Sequence, residues 1–263
     1  MKTRLRILGL NIKITFQRET AYWANNWANM LSTLIYTATF LFFVNIIFAN
    51  VKLFGGYTKN EMLLYILLSQ ITFYICYTWS YDNLDEISAD INSGNLDLTL
   101  LKPMPQLFYL TTRTISIISL LRDALIPLLF VAWLINWPTL SLACWPVVAG
   151  LVILLAGMFL IHCMQFLLML PGFWWGQSRN LLNLSYGITN PDLPWESLTK
   201  PIQFTLTVIV PILIAPALAV SVILGKSDPE LTLLWVSGLV IIGFWIRNWG
   251  WRLGLQNYAS ASS

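Results

Sequence analysis

Charge is what this sequence has least of. Only 10% of its 263 residues are Asp, Glu, Lys or Arg, against 57% hydrophobic residues. A soluble globular domain carries about 25% charged residues. So little polar surface cannot face water all round, and lipid must be the solvent for much of the chain. The one histidine, His162, excludes a multi-histidine site within the chain. The three cysteines, Cys76, Cys144 and Cys163, lie in or beside apolar runs with no Cys-x-x-Cys. They read as small apolar side chains, and nothing in their placement suggests a disulfide framework or a metal site. An internal repeat is also missing, which argues against the many secondary transporters built from two related halves. No stretch is long or polar enough for a soluble ATPase, receptor or enzyme domain. Gly225-Lys226-Ser227 ends like a phosphate-binding loop, but Val220 stands where the pattern needs glycine. An apolar run precedes it in place of a strand, so we reject a nucleotide site, and any use of ATP requires a partner chain.

What the sequence does contain is a series of apolar runs of spanning length, about 20 residues in a helix. They are Trp27–Asn50, Glu61–Tyr81, Thr114–Trp137, Pro146–Leu170, Pro201–Leu224 and Leu231–Trp249. Tryptophans cluster at their ends: Trp23, Trp27, Trp79, Trp133, Trp137, Trp145, Trp174, Trp175, Trp249 and Trp251. This is the pattern of an interfacial aromatic belt. The expected fold is an all-α polytopic membrane protein with six membrane segments in a single domain, residues 1–263. Residues 1–26 hold Lys2, Arg4, Arg6, Lys13 and Arg18 against the single acid Glu19. Positive residues near a membrane stay inside, so we expect cytoplasmic N- and C-termini, and Arg247 and Arg252 agree. The basic start has no cleavage site after its first apolar run, and we expect residues 1–26 to be retained.

Residues 171–200 resist this scheme because they are half polar. They fit a cytoplasmic loop before a straight fifth span at Pro201–Leu224, the reading hydropathy favours. Alternatively Trp174–Thr189 crosses and the Pro-rich stretch Asn190–Leu224 dips into the outer leaflet and returns. Pro211 and Pro216 would break or kink a straight helix there, and non-helical backbone at depth must be covered by protein.

The acids gather where the oil is interrupted. Between Tyr81 and Pro105 lie Asp82, Asp85, Glu86, Asp90 and Asp97, five of the twelve acids of the chain. Leu84, Ile87 and Ile91 fall at spacings of three and four, one apolar stripe on a short helix. Asp82 and Asp85 suit its N-terminus. Gly94 suits a left-handed stop. Asn95 and Asp97 suit a turn and a fresh cap, and Pro103 and Pro105 the start of the next helix. A solvated loop would explain the acids; a stripe, a stop and strong negative charge together would also make a surface that another protein grips. At the N-terminus, Leu5, Leu8, Ile12 and Phe16 share one helix face, although Ile7, Leu10 and Ile14 lie opposite. A helix lying along an anionic membrane surface explains that segment equally well. Arg122, Asp123 and His162 lie within apolar runs. Local pairing or snorkelling accounts for the first two and a helix–helix hydrogen bond for the third.

The stretch "INSGNLDLTLLKP" resembles a signature of the type-2 ABC exporter permeases, in the branch with six membrane segments and a separately encoded ATPase. Ile91, Gly94, Leu96, Asp97, Leu100, Leu101, Lys102 and Pro103 carry the match. The tail "WRLGLQNYASASS" is similar to that family's ending through Trp251, Arg252, Gly254, Leu255, Tyr258, Ser260, Ala261 and Ser262. Ala259 departs where serine is commoner. The resemblance implies that residues 82–105 form a cytoplasmic coupling loop seated in a cleft of the ATPase. Leu84, Ile87 and Ile91 would pack into that partner, and Asp85, Glu86 and Asp90 would meet its basic residues. Gly94, Leu96, Asp97, Leu100, Lys102 and Pro103 would shape the same contact. Leu5, Leu8, Ile12 and Phe16 would form a second, N-terminal interface. The implied partners are a cytoplasmic ABC ATPase carrying the ATP and magnesium, a second permease subunit and the lipid of a bacterial inner membrane. No cofactor is implied in this chain, and no nucleic acid or enzyme activity. Some relatives export viologen-like cations, for which tryptophans offer cation–π surfaces, though belt anchoring explains most of them here.

Two other classes stay open on the residues. One is a stand-alone channel or secondary transporter. The other is a membrane prenyltransferase, whose aspartate-rich loop Asp82 and Asp85 partly match, with Asp192 and Glu196 as a second acidic pair. There, however, Ala89 stands where a third acid belongs.

Overall fold

The structure is a computed structural model, and it describes residues 2–21, 23–102, 104–176, 178–188 and 198–258. Among them it is helical throughout, with no strand. Helix α1 (Lys2–Thr20) leads to α2 (Trp23–Asn50). A tight turn with two left-handed glycines, Gly55 and Gly56, precedes α3 (Lys59–Ile75). Thr58 caps α3 reciprocally with Glu61: the Glu61 N–H donates to the threonine hydroxyl, and the Thr58 N–H to the Glu61 carboxylate. This capping box fixes where the helix starts. A π-helical turn, Cys76–Tyr81, joins α3 to α4 (Asp82–Ser93) without a break. Lys59–Ser93 is therefore one rod of 35 residues, roughly 50 Å long at 1.5 Å per residue. A hydrocarbon core is about 30 Å thick, so one end of the rod projects well beyond the lipid.

After Gly94 come α5 (Leu96–Leu100) and α6 (Gln106–Leu110). Then α7 (Ile117–Ser119), a π segment and α8 (Ile126–Leu134) run end to end through the third apolar run. Helix α9 (Cys144–Met169) continues into the short α10 (Gly172–Trp175), and α11 (Arg179–Ile188) follows the left-handed Gly176. Next are α12 (Lys200–Phe204), two π segments and α13 (Ala219–Ile223), and the chain closes with α14 (Pro229–Asn257). Among the described residues four helices are long and apolar enough to cross a membrane: Trp27–Asn50, Lys59–Ser93, Cys144–Trp175 and Pro229–Asn257.

The straight fifth span expected at Pro201–Leu224 is not there. Lys200–Ile209 and Ile214–Ile223 meet at a bend of 113°, with Pro211 in the break. Proline cannot donate the backbone bond that would carry a straight helix through. The broken backbone closes on itself instead: the Leu213 N–H reaches the Leu206 carbonyl at 3.1 Å, and the Val210 N–H the Thr205 carbonyl at 2.9 Å. Ile212, Leu213, Ile214 and Ala215 are buried, so protein covers the irregular backbone as membrane depth demands. Of the alternative crossing Trp174–Thr189, the part to Ile188 is helical except around Gly176. Residues 189–197, with Asn190, Asp192 and Glu196, lie outside the described residues, as do the side chains of Arg122 and Asp123.

Two glycines let the hairpin lie against α9. A Cβ on Gly157 would sit 2.4 Å from the Ala215 nitrogen, and one on Gly150 2.3 Å from the Ile223 side chain. At the same end as the Gly55–Gly56 turn, Lys226 donates to the Gly56 carbonyl at 2.6 Å, pairs with Glu61 at 3.3 Å and covers the Tyr57 ring. The Gly225-Lys226-Ser227 triplet is thus a turn that locks the hairpin to the far end of the rod. Trp251, read from sequence as a belt residue, is buried; its ring packs between Phe166 and Phe173.

The close approach makes a prediction. Gly157→Leu should lower the thermal stability of the detergent-solubilised protein by an amount equivalent to about 2–3 kcal/mol, the usual cost of overpacking. Gly238, which has open space around it, should tolerate leucine with no shift.

Candidate functional site: the acidic knuckle

The rod end that leaves the apolar layer carries the acids, and its local structure follows the sequence. Gly94 closes α4 at φ 75°, a conformation glycine adopts without a Cβ penalty. The stripe is a helical face as expected, but its partner is the chain itself. Leu84 and Ile87 are fully buried and Ile91 is 8% exposed. They form one cluster with Leu96, Leu110, Phe166, Met169, Leu170, Phe173, Leu182 and Trp251. This corrects the expectation that Leu84, Ile87 and Ile91 are presented to a partner. Once α9 and α14 bring their aromatic ends to the same level, the stripe has a closer apolar surface to cover.

Buried polar groups fasten the same helix. The Asn83 amide donates to the Trp79 and Thr114 carbonyls, both at 2.6 Å, and accepts from the Thr114 N–H at 2.9 Å. Ser88 meets Ser178 at 2.9 Å. One turn back, Ser80, His162 and Gln165 form a buried chain. The Ser80 hydroxyl donates to Gln165 Oε1 at 2.6 Å, so the 2.8 Å contact to His162 Nδ1 requires the imidazole to donate. The histidine therefore makes a helix–helix hydrogen bond, with Trp79 stacked on its ring.

The acids are paired within the chain as well. Arg179 at the start of α11 holds Asp85 through two 2.7 Å bonds. Arg113 lies 2.6 Å from both Glu86 and Asp90. Thr114 Oγ1 donates to Glu86 at 2.8 Å, and Arg18 of α1 stands 3.9 Å from Glu86. The basic residues expected from a partner thus come from this chain. Asp85 is also engaged where the prenyltransferase reading would need a free carboxylate. Sequence reading missed both arginines: Arg113 reads as a ragged edge of the third apolar run, and Arg179 lies 94 residues from its carboxylate.

What the knuckle leaves uncovered is its tip. Leu98 is 66% and Leu101 81% exposed, side by side at a spacing of three. Leu96 and Thr99 are buried on the opposite face of α5. Asn92, Ser93, Asn95 and Lys102 are exposed around them, while Leu100 and Asp97 are half-buried. Lys102 folds back over the Tyr109 ring, 3.9 Å from its centre. Pro103 lies outside the described residues.

The tail motif is a packing device at the same level. A Cβ on Gly254 would meet the Phe173 ring at 2.6 Å, and Tyr258 stands edge-on to that ring at 6.0 Å. Burial, and then the nearby carboxylates of Asp97 and Asp90, push the Tyr258 phenol up from its ordinary pKa. Ala259, Ser260, Ala261 and Ser262 lie outside the described residues. A cleft of 610 Å³ opens between Asn92 at the end of α4, the Gly172–Gly176 turn and Tyr258. In the N-terminal segment Leu8 and Ile12 are half-buried, Phe16 is exposed, and the Leu5 side chain lies outside the described residues. Asn11, not that apolar face, makes the hydrogen bond to the body, 3.2 Å to the Thr112 carbonyl. Among the described residues no group of three or more His, Cys, Asp or Glu could hold a metal ion.

A helical protein with four long apolar helices of spanning length among its described residues is, by class, a multi-pass integral membrane protein. The family described as "ABC-2 family transporter protein" matches residues 34–262, and the chain belongs to it. It is thus a transport component of the ABC-2 type. No curated protein and no solved structure matches the chain.

The charge pairs differ in burial, and stability should follow. Arg113 is mostly buried between two acids, whereas Arg179 is largely exposed. Arg113→Ala should destabilise the purified protein by about 2 kcal/mol, the range of charged hydrogen bonds. Arg179→Ala should shift the melt far less, because its solvent-exposed pair with Asp85 is screened. Thermal melts at matched pH and salt measure both.

Proposed function

We propose that this chain is the permease subunit of an ATP-driven exporter in a bacterial inner membrane, forming half of a translocation path with a second permease subunit. A separate cytoplasmic ABC ATPase, holding the ATP and magnesium, drives it. Membership of the ABC-2 family supports the transport role, and the basic residues 1–26 support a cytoplasmic knuckle end. The single observation that carries the coupling reading is the exposed pair Leu98 and Leu101 at the tip of the rod. Two leucines standing off a charged surface are costly in water and have no lipid use if the rod projects into the cytoplasm. A pocket on the ATPase would cover them. Force on the tip would pass to α4, because α5 is anchored through Leu96 in the same cluster as the stripe. From α4 it would pass straight into α3, with no hinge between, and through Arg113 and Arg179 to the third apolar run and α11. Gly94, Asp97, Leu100, Lys102 and Pro103 belong to this reading as the frame of the tip. Leu84, Asp85, Glu86, Ile87, Asp90 and Ile91 belong to it as its anchor in the permease.

The experiment is co-purification of the permease with its proposed cytoplasmic ATPase. The double variant Leu98→Asp with Leu101→Asp should lose ATPase capture and transport while melting like the wild type. A lost apolar anchor typically costs about 2 kcal/mol or more of binding. Ile87→Asp should instead lower the melting temperature and the yield, because it puts a charge in a closed cluster. Retained ATPase capture by the tip variant would refute the tip as the contact.

A further inference from the structure

From Leu231 to Asn257, α14 carries two charges, Arg247 and Arg252, and no acid. Helices α9 and α10, which pack on it, have no acid either. Arg252 is exposed, whereas Arg247 is half-buried. The Arg247 guanidinium folds back between the Phe159 and Phe244 rings, 5.5 Å and 5.3 Å from their centres. Such rings hold a cation in place without cancelling its charge. Its Nε is buried without a partner, and an Nη2 N–H reaches only the Asn248 amide oxygen, at 3.4 Å. Arg113, Arg179 and Lys226 each stand on a carboxylate; among the described residues Arg247 has none. Its level in the membrane is fixed from two sides. A Cβ on Gly243 would meet Leu160 at 3.0 Å, and one on Gly250 would meet Leu170 at 2.5 Å. Arg247 therefore stands beside the stretch of α9 that holds His162 and Gln165. Those two bond Ser80, where the second apolar run gives way to the acids. Trp245 and Trp249, on either side of Arg247 in the chain, are exposed with their rings stacked at 6.1 Å, the aromatic mark of headgroup depth.

We propose that Arg247 is a binding site for the phosphate of an anionic phospholipid in the leaflet on the knuckle side. A cation at the edge of the hydrocarbon layer is costly unless an anion meets it. With no acid on α14, α9 or α10, that anion comes from the surroundings. Phosphate fits the residue: a guanidinium presents planar, forked donors that match its oxygens. The source is a lipid because of what surrounds the cation. Phe244, Trp245 and Trp249 are exposed around it, and acyl chains and headgroup boundaries cover such side chains. A free anion would have to leave water to reach a guanidinium folded back over Phe244. A phospholipid carries its phosphate to that depth with its tails already in the apolar layer. Arg252, exposed five residues nearer the end of the helix, adds a second positive charge. It favours a headgroup of net negative charge over a zwitterionic one, whose own cation it repels. The site needs neither an ATPase nor a second subunit, so it stands or falls separately from the transport reading above.

The test is native mass spectrometry of the full purified chain, titrated with dioleoylphosphatidylglycerol, dioleoylphosphatidylcholine or inorganic phosphate. The wild type should bind phosphatidylglycerol more tightly than phosphatidylcholine. Arg247→Gln should weaken phosphatidylglycerol binding by roughly tenfold or more, the effect of losing a charged hydrogen bond. Lys52→Gln, which removes an exposed charge just after α2, should leave it unchanged. Binding by Arg247→Gln as tight as by the wild type would overturn the site, and so would an equal loss in Lys52→Gln. Phosphatidylcholine bound as tightly as phosphatidylglycerol would overturn the choice of a negative headgroup. Inorganic phosphate that displaces phosphatidylglycerol at equal concentration would overturn the lipid as the source of the anion. A phosphatidylglycerol with a diazirine in its headgroup, photolysed with the wild-type chain in phosphatidylcholine nanodiscs, locates the site without any substitution and holds even if Arg247→Gln folds poorly. The label should fall on the peptide spanning Phe244–Arg252; label confined to other peptides would overturn the proposal.

Discussion

The whole knuckle depends on one contact: the face of Leu84, Ile87 and Ile91 laid on Phe166, Met169, Leu170 and Trp251. Fully burying one such aliphatic side chain is worth about 1.5–3 kcal/mol, so three of them outweigh any exposed ion pair nearby. That contact turns the end of a long helix into a fixed part of the body. Without it, α4 would be a projecting arm held by salt bridges that ionic strength could loosen. With it, Arg113 and Arg179 act as braces that set the angle and spacing of an already anchored helix. The buried Asn83 amide, which satisfies both the N–H and the carbonyl of Thr114, does the same for the chain leading into the third apolar run.

Rigidity at the knuckle contrasts with the Lys200–Ile223 hairpin, where three features meet: a proline in the break, π-helical turns on both sides and glycines on the facing helix. Widened turns and prolines leave carbonyls unsatisfied in a straight helix, and lipid cannot satisfy them. The structure resolves this by bending until the freed groups find one another and by burying the bend. Gly150 and Gly157, two turns apart on α9, make the burial possible. The same fold therefore holds a stiff rod and a bent element, both packed on α9 and against each other.

Much of this was legible in the sequence, for physical reasons that can be named. The apolar runs marked the long helices because spanning length and composition are local properties. The left-handed stop at Gly94 and the stripe on α4 could be read because glycine punctuation and helical spacing are local too. The direction in which the stripe faced could not, since it depends on α9, α14 and α11 arriving at the same level from as far away as Trp251. The pairing of Asp85 with Arg179 and of Asp90 with Arg113 was hidden likewise, as an ion pair between distant segments leaves no pattern in spacing. Hydropathy failed at Pro201–Leu224 because it weighs side chains and ignores the missing proline donor. Gly254 could be matched to a motif, but its reason, the Phe173 ring lying against the helix, exists only in three dimensions.

The most direct measurement is amide hydrogen exchange on the detergent-solubilised permease without its partner. If the α4 stripe is closed against the body, the amides of Leu84–Ile91 exchange as slowly as those of Phe166–Met169, while those of Asn95–Lys102 exchange faster. Exchange of Leu84–Ile91 at the rate of Asn95–Lys102 would mean that α4 opens freely from the core, and the rigid-lever account would be wrong.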